Sequence, residues 1–238
     1  MKIKTISVLV TACIAFSFTN SYQDECKPYF PMKKGTTWVY NEYDKKGELA
    51  GTNTTIVNEI VENGNKIEYR LTGIHDGPKK KEKNHMEQDI LYVCEDGVFK
   101  MSMENLVPQE TMDSFGDDAT IEVDQTEMEF PSTLSPGDEL KDASVQVSIS
   151  MNGMNVMKIN VNITNRKIEK MDEVTTDAGT YNCALMTYDV TTKMAFSTIE
   201  SSVKDWISPV VGIVKSESYD KKGELSNSRA LVSYKPGE

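Results

Sequence analysis

The chain has 238 residues and a formal net charge of −11, from 37 acidic and 26 basic side chains, and 38% of its residues are hydrophobic. An acid surplus of this size repels a phosphate backbone, which disfavours a nucleic-acid partner, and none is expected. With only two histidines and four cysteines, there is little material for a zinc centre or a His-assisted nucleophile.

Residues 1–21 read as a secretory signal peptide. Lys2 and Lys4 open it, Ile6 to Phe18 form an apolar stretch, and Thr19 and Ser21 offer small side chains for cleavage before Tyr22. The stretch is shorter than the roughly 20 residues that span a bilayer. Val10-Thr11-Ala12-Cys13 also fits a lipoprotein box, in which a lipid on Cys13 anchors the protein to a membrane. Because the apolar run continues past Cys13 to Phe18, soluble export is preferred, and membrane contact is expected only if Cys13 is lipidated. Both readings put the protein in the periplasm or cell envelope.

Residues 22–238 are expected to be one all-β domain with little helix, an antiparallel β-roll or open barrel. No stretch sustains helical spacing, whereas period-two alternation is frequent. Thr36 to Tyr43, Thr54 to Val61 and Lys66 to Leu71 form an opening meander, and Ile90 to Cys94 and Val98 to Met103 flank a turn at Glu95-Asp96-Gly97. Ala143 to Ser150 and Met157 to Ile163 alternate cleanly around Asn152-Gly153, a pair suited to the positive φ angles of a tight hairpin. Lys167 to Val174, Thr180 to Met194, Thr198 to Ile207, Gly212 to Tyr219 and Arg229 to Tyr234 complete the strands.

One sequence occurs twice. Tyr43-Asp44-Lys45-Lys46-Gly47-Glu48-Leu49 recurs letter for letter at Tyr219-Asp220-Lys221-Lys222-Gly223-Glu224-Leu225, each time between apolar strands. Asp capping its own turn and Gly taking a left-handed conformation account for each as a hairpin loop. Two independent hairpins are the default, and a pair of contact loops is the alternative.

Met101 to Leu140 holds eleven carboxylates, no Lys or Arg, and several Pro and Gly, so much of it is expected to be loop. Asp113, Asp117 and Asp118 are the candidates there for a divalent cation, since hard cations seek clustered carboxylate oxygens. Their spacing departs from the calcium loop, so a solvated acidic surface is preferred and no metal is assigned. His75 and His85 flank a lysine run and are expected to be exposed loop residues. Of the mature cysteines, Cys26, Cys94 and Cys183 allow one bridge and leave one thiol over. Cys26–Cys183 is the preferred pairing, with three unpaired buried thiols as the alternative.

The sequence offers no nucleophile elbow, no zinc helix and no phosphate loop, so no catalytic residue and no cofactor is assigned. Trp38 and Trp206 lie in strands near opposite ends of the mature chain. If the terminal strands pair, both enter one core; exposed, they are the candidates for stacking on a sugar or other ligand.

Four stretches together resemble a known family. They are Cys26 to Trp38, Phe130-Pro131-Ser132 with Pro136 to Leu140, Thr176 to Cys183, and Trp206 to Lys215. They are similar to the exported bacterial proteins, many from Bacteroides-like organisms, grouped as domain of unknown function 3108, also labelled TapB-like. The resemblance implies an all-β roll or open barrel in the cell envelope with no established activity and no transferable catalytic residues. The expected function is a noncatalytic envelope protein that binds a small or polymeric ligand, such as a glycan or lipid, or a partner protein. The alternatives are a structural or assembly factor of the envelope and, behind it, a glycan hydrolase with two carboxylates roughly 5–9 Å apart.

Overall fold

A computed structural model describes residues 29–78, 85–103 and 119–238. Thirteen strands run along these residues: β1 (Thr37–Asp44), β2 (Leu49–Asn63), β3 (Lys66–Asp76), β4 (His85–Glu95), β5 (Val98–Met101), β6 (Ala119–Thr126), β7 (Met128–Phe130), β8 (Ala143–Met151), β9 (Met154–Thr176), β10 (Gly179–Met194), β11 (Ser197–Ser208), β12 (Gly212–Asp220) and β13 (Leu225–Lys235). All pair antiparallel in one sheet, in the order β6-β8-β9-β10-β11-β12-β13-β1-β2-β3-β4-β5-β7. The fold is the expected all-β class, a nearly closed barrel.

The closure has a simple cause. The two edge strands, β6 and β7, are one run of chain interrupted only at Glu127. Its first part pairs with β8 and its second with β5, so a single segment leaves one edge of the sheet and joins the other. Side chains seal the join. The Gln125 Oε1 of β6 accepts from the Met103 backbone N–H at 2.8 Å and bonds Ser102 Oγ at 3.2 Å. Arg166 donates to the Lys141 and Glu129 carbonyls at 2.7 and 3.0 Å.

Over its described part the segment from Met101 to Leu140 is loop at 131–138, as expected, but it also supplies the strands β6 and β7. Its alternation Ile121, Val123, Gln125 is the inward face of an edge strand, hidden in the sequence by its acidic outward partners. The expected break between Ile163 and Lys167 is not a break either. β9 runs 23 residues through it. The register leaves Asn165 and Arg166 together opposite the single residue Tyr188. This is a β-bulge, with Asn165 at φ 55°, and it turns Arg166 into the interior.

Each expected alternation buries its apolar half. Val145, Val147 and Ile149 of β8 pack with Ile159, Val161 and Ile163 of β9 under β6. Fully burying such side chains contributes about 1.5–3 kcal/mol each. The hairpin between these strands turns at Asn152 and Gly153, with φ of 52° and 76°. The terminal strands β1 and β13 pair side by side, Trp38 facing Tyr234 across them. Trp38 and Trp206 consequently share one buried cluster with Tyr40, Leu71, Val214 and Leu231.

The sheet order also sets the repeated hairpins next to each other, β12–β13 beside β1–β2 at one end of the barrel. They are physical copies. Asp44 Oδ1 accepts from the Lys46 and Glu48 N–H groups at 2.8 and 2.9 Å. Asp220 Oδ1 does the same for Lys222 and Glu224 at 2.8 and 3.0 Å. Gly47 and Gly223 hold φ of 77° and 79°.

The cysteines differ from expectation. Cys183 is a free thiol, fully buried on β10, so it takes no part in a Cys26–Cys183 bridge. Cys94, at the end of β4, is disulfide-bonded. Sequence spacing could not distinguish these positions because both lie in equally apolar strands.

Candidate functional site in the barrel interior

Residues opposed across antiparallel strands lie on the same face of the sheet. The register opposes Glu42 to Arg229, Arg229 to Ser216, Ser216 to Asp205, and Asp205 to Met186. One row across five strands thereby collects charged and hydroxyl side chains on the inner face, next to the aromatic cluster. Asp205 is buried, and its Oδ2 accepts from the Tyr188 hydroxyl at 2.9 Å, while its Oδ1 has no hydrogen-bond partner. Glu42 turns to His75 instead, its Oε2 lying 3.2 Å from Nδ1.

Arg229 is the unusual member. Its guanidinium carbon lies 5.2 Å from the centre of the Tyr40 ring. Among the described residues it makes no hydrogen bond and no ion pair within 4.0 Å. Burial acts against its charge, but Asp205 first, and then Tyr40, Tyr188 and Tyr92, outweigh that and hold its pKa above the ordinary arginine value. The other inward guanidinium, Arg166, is spent on the seam. It stacks over Phe130 at 5.1 Å, and burial lowers its pKa to about 10.

Beside Arg229 lies a cavity of about 80 Å³, walled by Phe30, Met32, Trp38, Tyr40, Leu71 and Tyr92. Most of the hydrogen-bonding capacity on its wall is used by the protein. The Trp38 indole donates to the Val211 carbonyl at 2.6 Å and the Tyr40 hydroxyl to the Ile213 carbonyl at 2.9 Å. Thr55 Oγ1 bonds Asn53 Oδ1 at 3.3 Å. The two aromatic bonds fix the β11–β12 connection against β1, and all three leave the Tyr92 hydroxyl and Arg229 as the donors without a protein acceptor among the described residues. Burial raises the Tyr92 phenol above its ordinary pKa, with the Arg229 charge opposing.

The tryptophans singled out from the sequence thus part company. Trp38 lines the cavity. Trp206 is buried away from it, donating to Asp172 Oδ2 at 3.3 Å beneath the Lys215 ammonium. The cation candidates Asp113, Asp117 and Asp118 and the cysteines Cys13 and Cys26 lie outside the described residues. Among the described residues no group of three or more His, Cys, Asp or Glu is arranged to hold a metal ion. His75 and His85 prove to be strand residues. His85 Nδ1 lies 2.7 Å from Asp76 Oδ1, and that contact, with Glu87 behind it, raises its pKa.

Sequence reasoning does not single out Arg229, Tyr92, Asp205 or Tyr188. A faint signal exists in parity: Arg229 precedes Leu231 by two, so it shares the face of a core residue.

The profile of the DUF3108-like family matches residues 33–231. Two solved structures share the fold. One is from Parabacteroides distasonis, assigned as a lipoprotein, with 25% identity and a TM-score of 0.68 over 89% of this chain and 100% of that one. The other is from Bacteroides fragilis, assigned as an exported protein with a YmcC-like fold, with 23% identity and a TM-score of 0.66 over the same shares. Both assignments agree with export to the periplasm or cell envelope. No protein with a curated description matches the chain.

Proposed function

We propose, for a chain that belongs to the DUF3108-like family, the role of a noncatalytic envelope protein that receives a ligand in its barrel interior. The observation that supports this most is the cavity at Trp38 and Tyr92 beside the polar row of Arg229, Ser216 and Asp205. A barrel serving only as a spacer gains nothing from burying charge, because apolar side chains of similar volume are as stable or more so. Fixed aromatic walls with a few oriented polar groups are the usual makings of a ligand site. Protein purified from its own envelope and analysed by native mass spectrometry should carry a bound small molecule, released on unfolding. Uniformly empty protein, with a Trp38 indole resonance indifferent to envelope extract, would count against this role.

An assembly role has support of its own. Among the described residues, Phe196, Ile199 and Met194 at the β10–β11 tip and Met154 and Val156 at the β8–β9 tip are exposed large hydrophobics. Antiparallel alternation places these tips at the same end as the two repeated hairpins. Loss of an envelope partner on Phe196→Asp, with ligand binding intact, would favour this reading.

A further inference from the structure

Among the described residues the interior carries two guanidinium groups, Arg166 and Arg229, and one buried carboxylate, Asp205, whose charge supports Arg229 without a hydrogen bond to it. Arg166 already satisfies two backbone carbonyls, and Glu42 on the same row is engaged by His75. Arg229 is therefore the one cation of this row whose donors point at no protein acceptor among the described residues, and the Tyr92 hydroxyl shares that condition on the same cavity wall. A partly desolvated cation left in this state favours an anion that can supply the missing acceptors.

Size narrows the class. A cavity of roughly 150 Å³ holds benzene, so the enclosed 80 Å³ takes a head group of roughly three non-hydrogen atoms, with any tail at its open side. A carboxylate has three. A phosphate or sulfate group is larger and tetrahedral, whereas a guanidinium presents a planar fork that matches a carboxylate in two parallel hydrogen bonds. Phe30, Met32, Leu71 and Trp38 leave the rest of the wall apolar, which suits the first methylene groups behind the acid.

We infer that Arg229 and Tyr92 form an anchor for a terminal carboxylate, such as that of a fatty or other aliphatic acid, whose tail leaves the cavity through its open side. Arg229 supplies the charge and the fork, and the Tyr92 hydroxyl supplies a further donor. Tyr40 positions the guanidinium by stacking, since its own hydroxyl is committed to Ile213. This assignment rests on the interior-binding role proposed above and adds to it the chemical class of the ligand.

The test compares hexanoate with hexan-1-ol, which share a tail and differ in the head group. Titration calorimetry on the full chain measures affinity, and the Trp38 indole N–H resonance reports occupancy of the cavity. Hexanoate should bind at least tenfold more tightly than hexan-1-ol and shift the Trp38 resonance. Arg229→Gln should abolish that preference, Arg229→Lys should restore part of it, and Tyr92→Phe should weaken it severalfold. Unchanged strand circular dichroism in each variant separates loss of the anchor from loss of the fold. If hexan-1-ol binds as well as hexanoate, or if the preference survives Arg229→Gln, the carboxylate anchor is refuted and interior binding stands. If neither compound moves the Trp38 resonance, both the anchor and interior binding fall.

Discussion

Replacing Arg166 should destabilise the barrel at its seam. The side chain is 1% exposed, donates to the Lys141 and Glu129 carbonyls, and packs over Phe130. Hydrogen bonds from charged groups contribute about 1.5–3 kcal/mol each, so two set a gross loss of about 3–6 kcal/mol. Against this stands the cost of keeping the cation inside. A fall in pKa from 12.5 to about 10 corresponds to roughly 3 kcal/mol, and the buried Nε lacks a partner. Alanine recovers that cost but leaves two part-buried carbonyls without these donors and opens a void. About 3 kcal/mol of net loss is therefore expected for Arg166→Ala, within the usual range for disrupted buried networks. Arg166→Met keeps the volume and strands the same carbonyls, and should lose about 1 kcal/mol less. Urea unfolding followed by circular dichroism measures both, and native-state hydrogen exchange should show faster opening of β6 and β7 than of β9 and β10. A loss below about 1 kcal/mol for Arg166→Ala, or exchange that quickens evenly around the sheet, would refute the seam argument.

Cys183 is fully buried and its thiol is pushed up to about 11, burial being the main cause; it should resist iodoacetamide at pH 8 in folded protein and react on unfolding, as read by intact mass. Burial raises Tyr29, Tyr40, Tyr69, Tyr92 and Tyr188 above the ordinary phenol value of 10.0. These phenols are neutral in both states below about pH 10, but above it the unfolded chain ionises first. Stability should be full below about pH 10 and fall as pH rises through the folded values, with phenolate absorbance growing in step with loss of the strand signal. Gly47→Ala and Gly223→Ala each force a side chain into a left-handed turn, so each should cost about 1–2 kcal/mol in urea unfolding, and by equal amounts. Unequal losses would show that the identical loops differ in their surroundings.

Much of the fold is legible because strand signals are local. Val145, Val147 and Ile149 need only their spacing to be assigned a buried face, and Asn152-Gly153 only its backbone preference to be assigned a turn. β6 escapes notice because Ile121 and Val123 alternate with Glu122 and Asp124 inside an acidic stretch, and composition masks the pattern. The bulge at Asn165 looks like a break because one extra residue reverses the parity of the strand beyond it. The site is far less legible. Trp38 stands out by its type, but Arg229 and Tyr92 fall 137 positions apart in the chain and look like ordinary strand residues.

The β class, the hairpin positions and the paired Asp-Gly loops are written in the chain itself, because each depends on residues within a turn or a strand of one another. Three features needed the assembled barrel: that β1 and β13 lie side by side, that one run of chain, β6 and β7, closes the cylinder from both edges, and that Arg229 faces a cavity with its donors unclaimed among the described residues. Those outcomes depend on register between distant strands, and register is set by how all the inward side chains pack together at once.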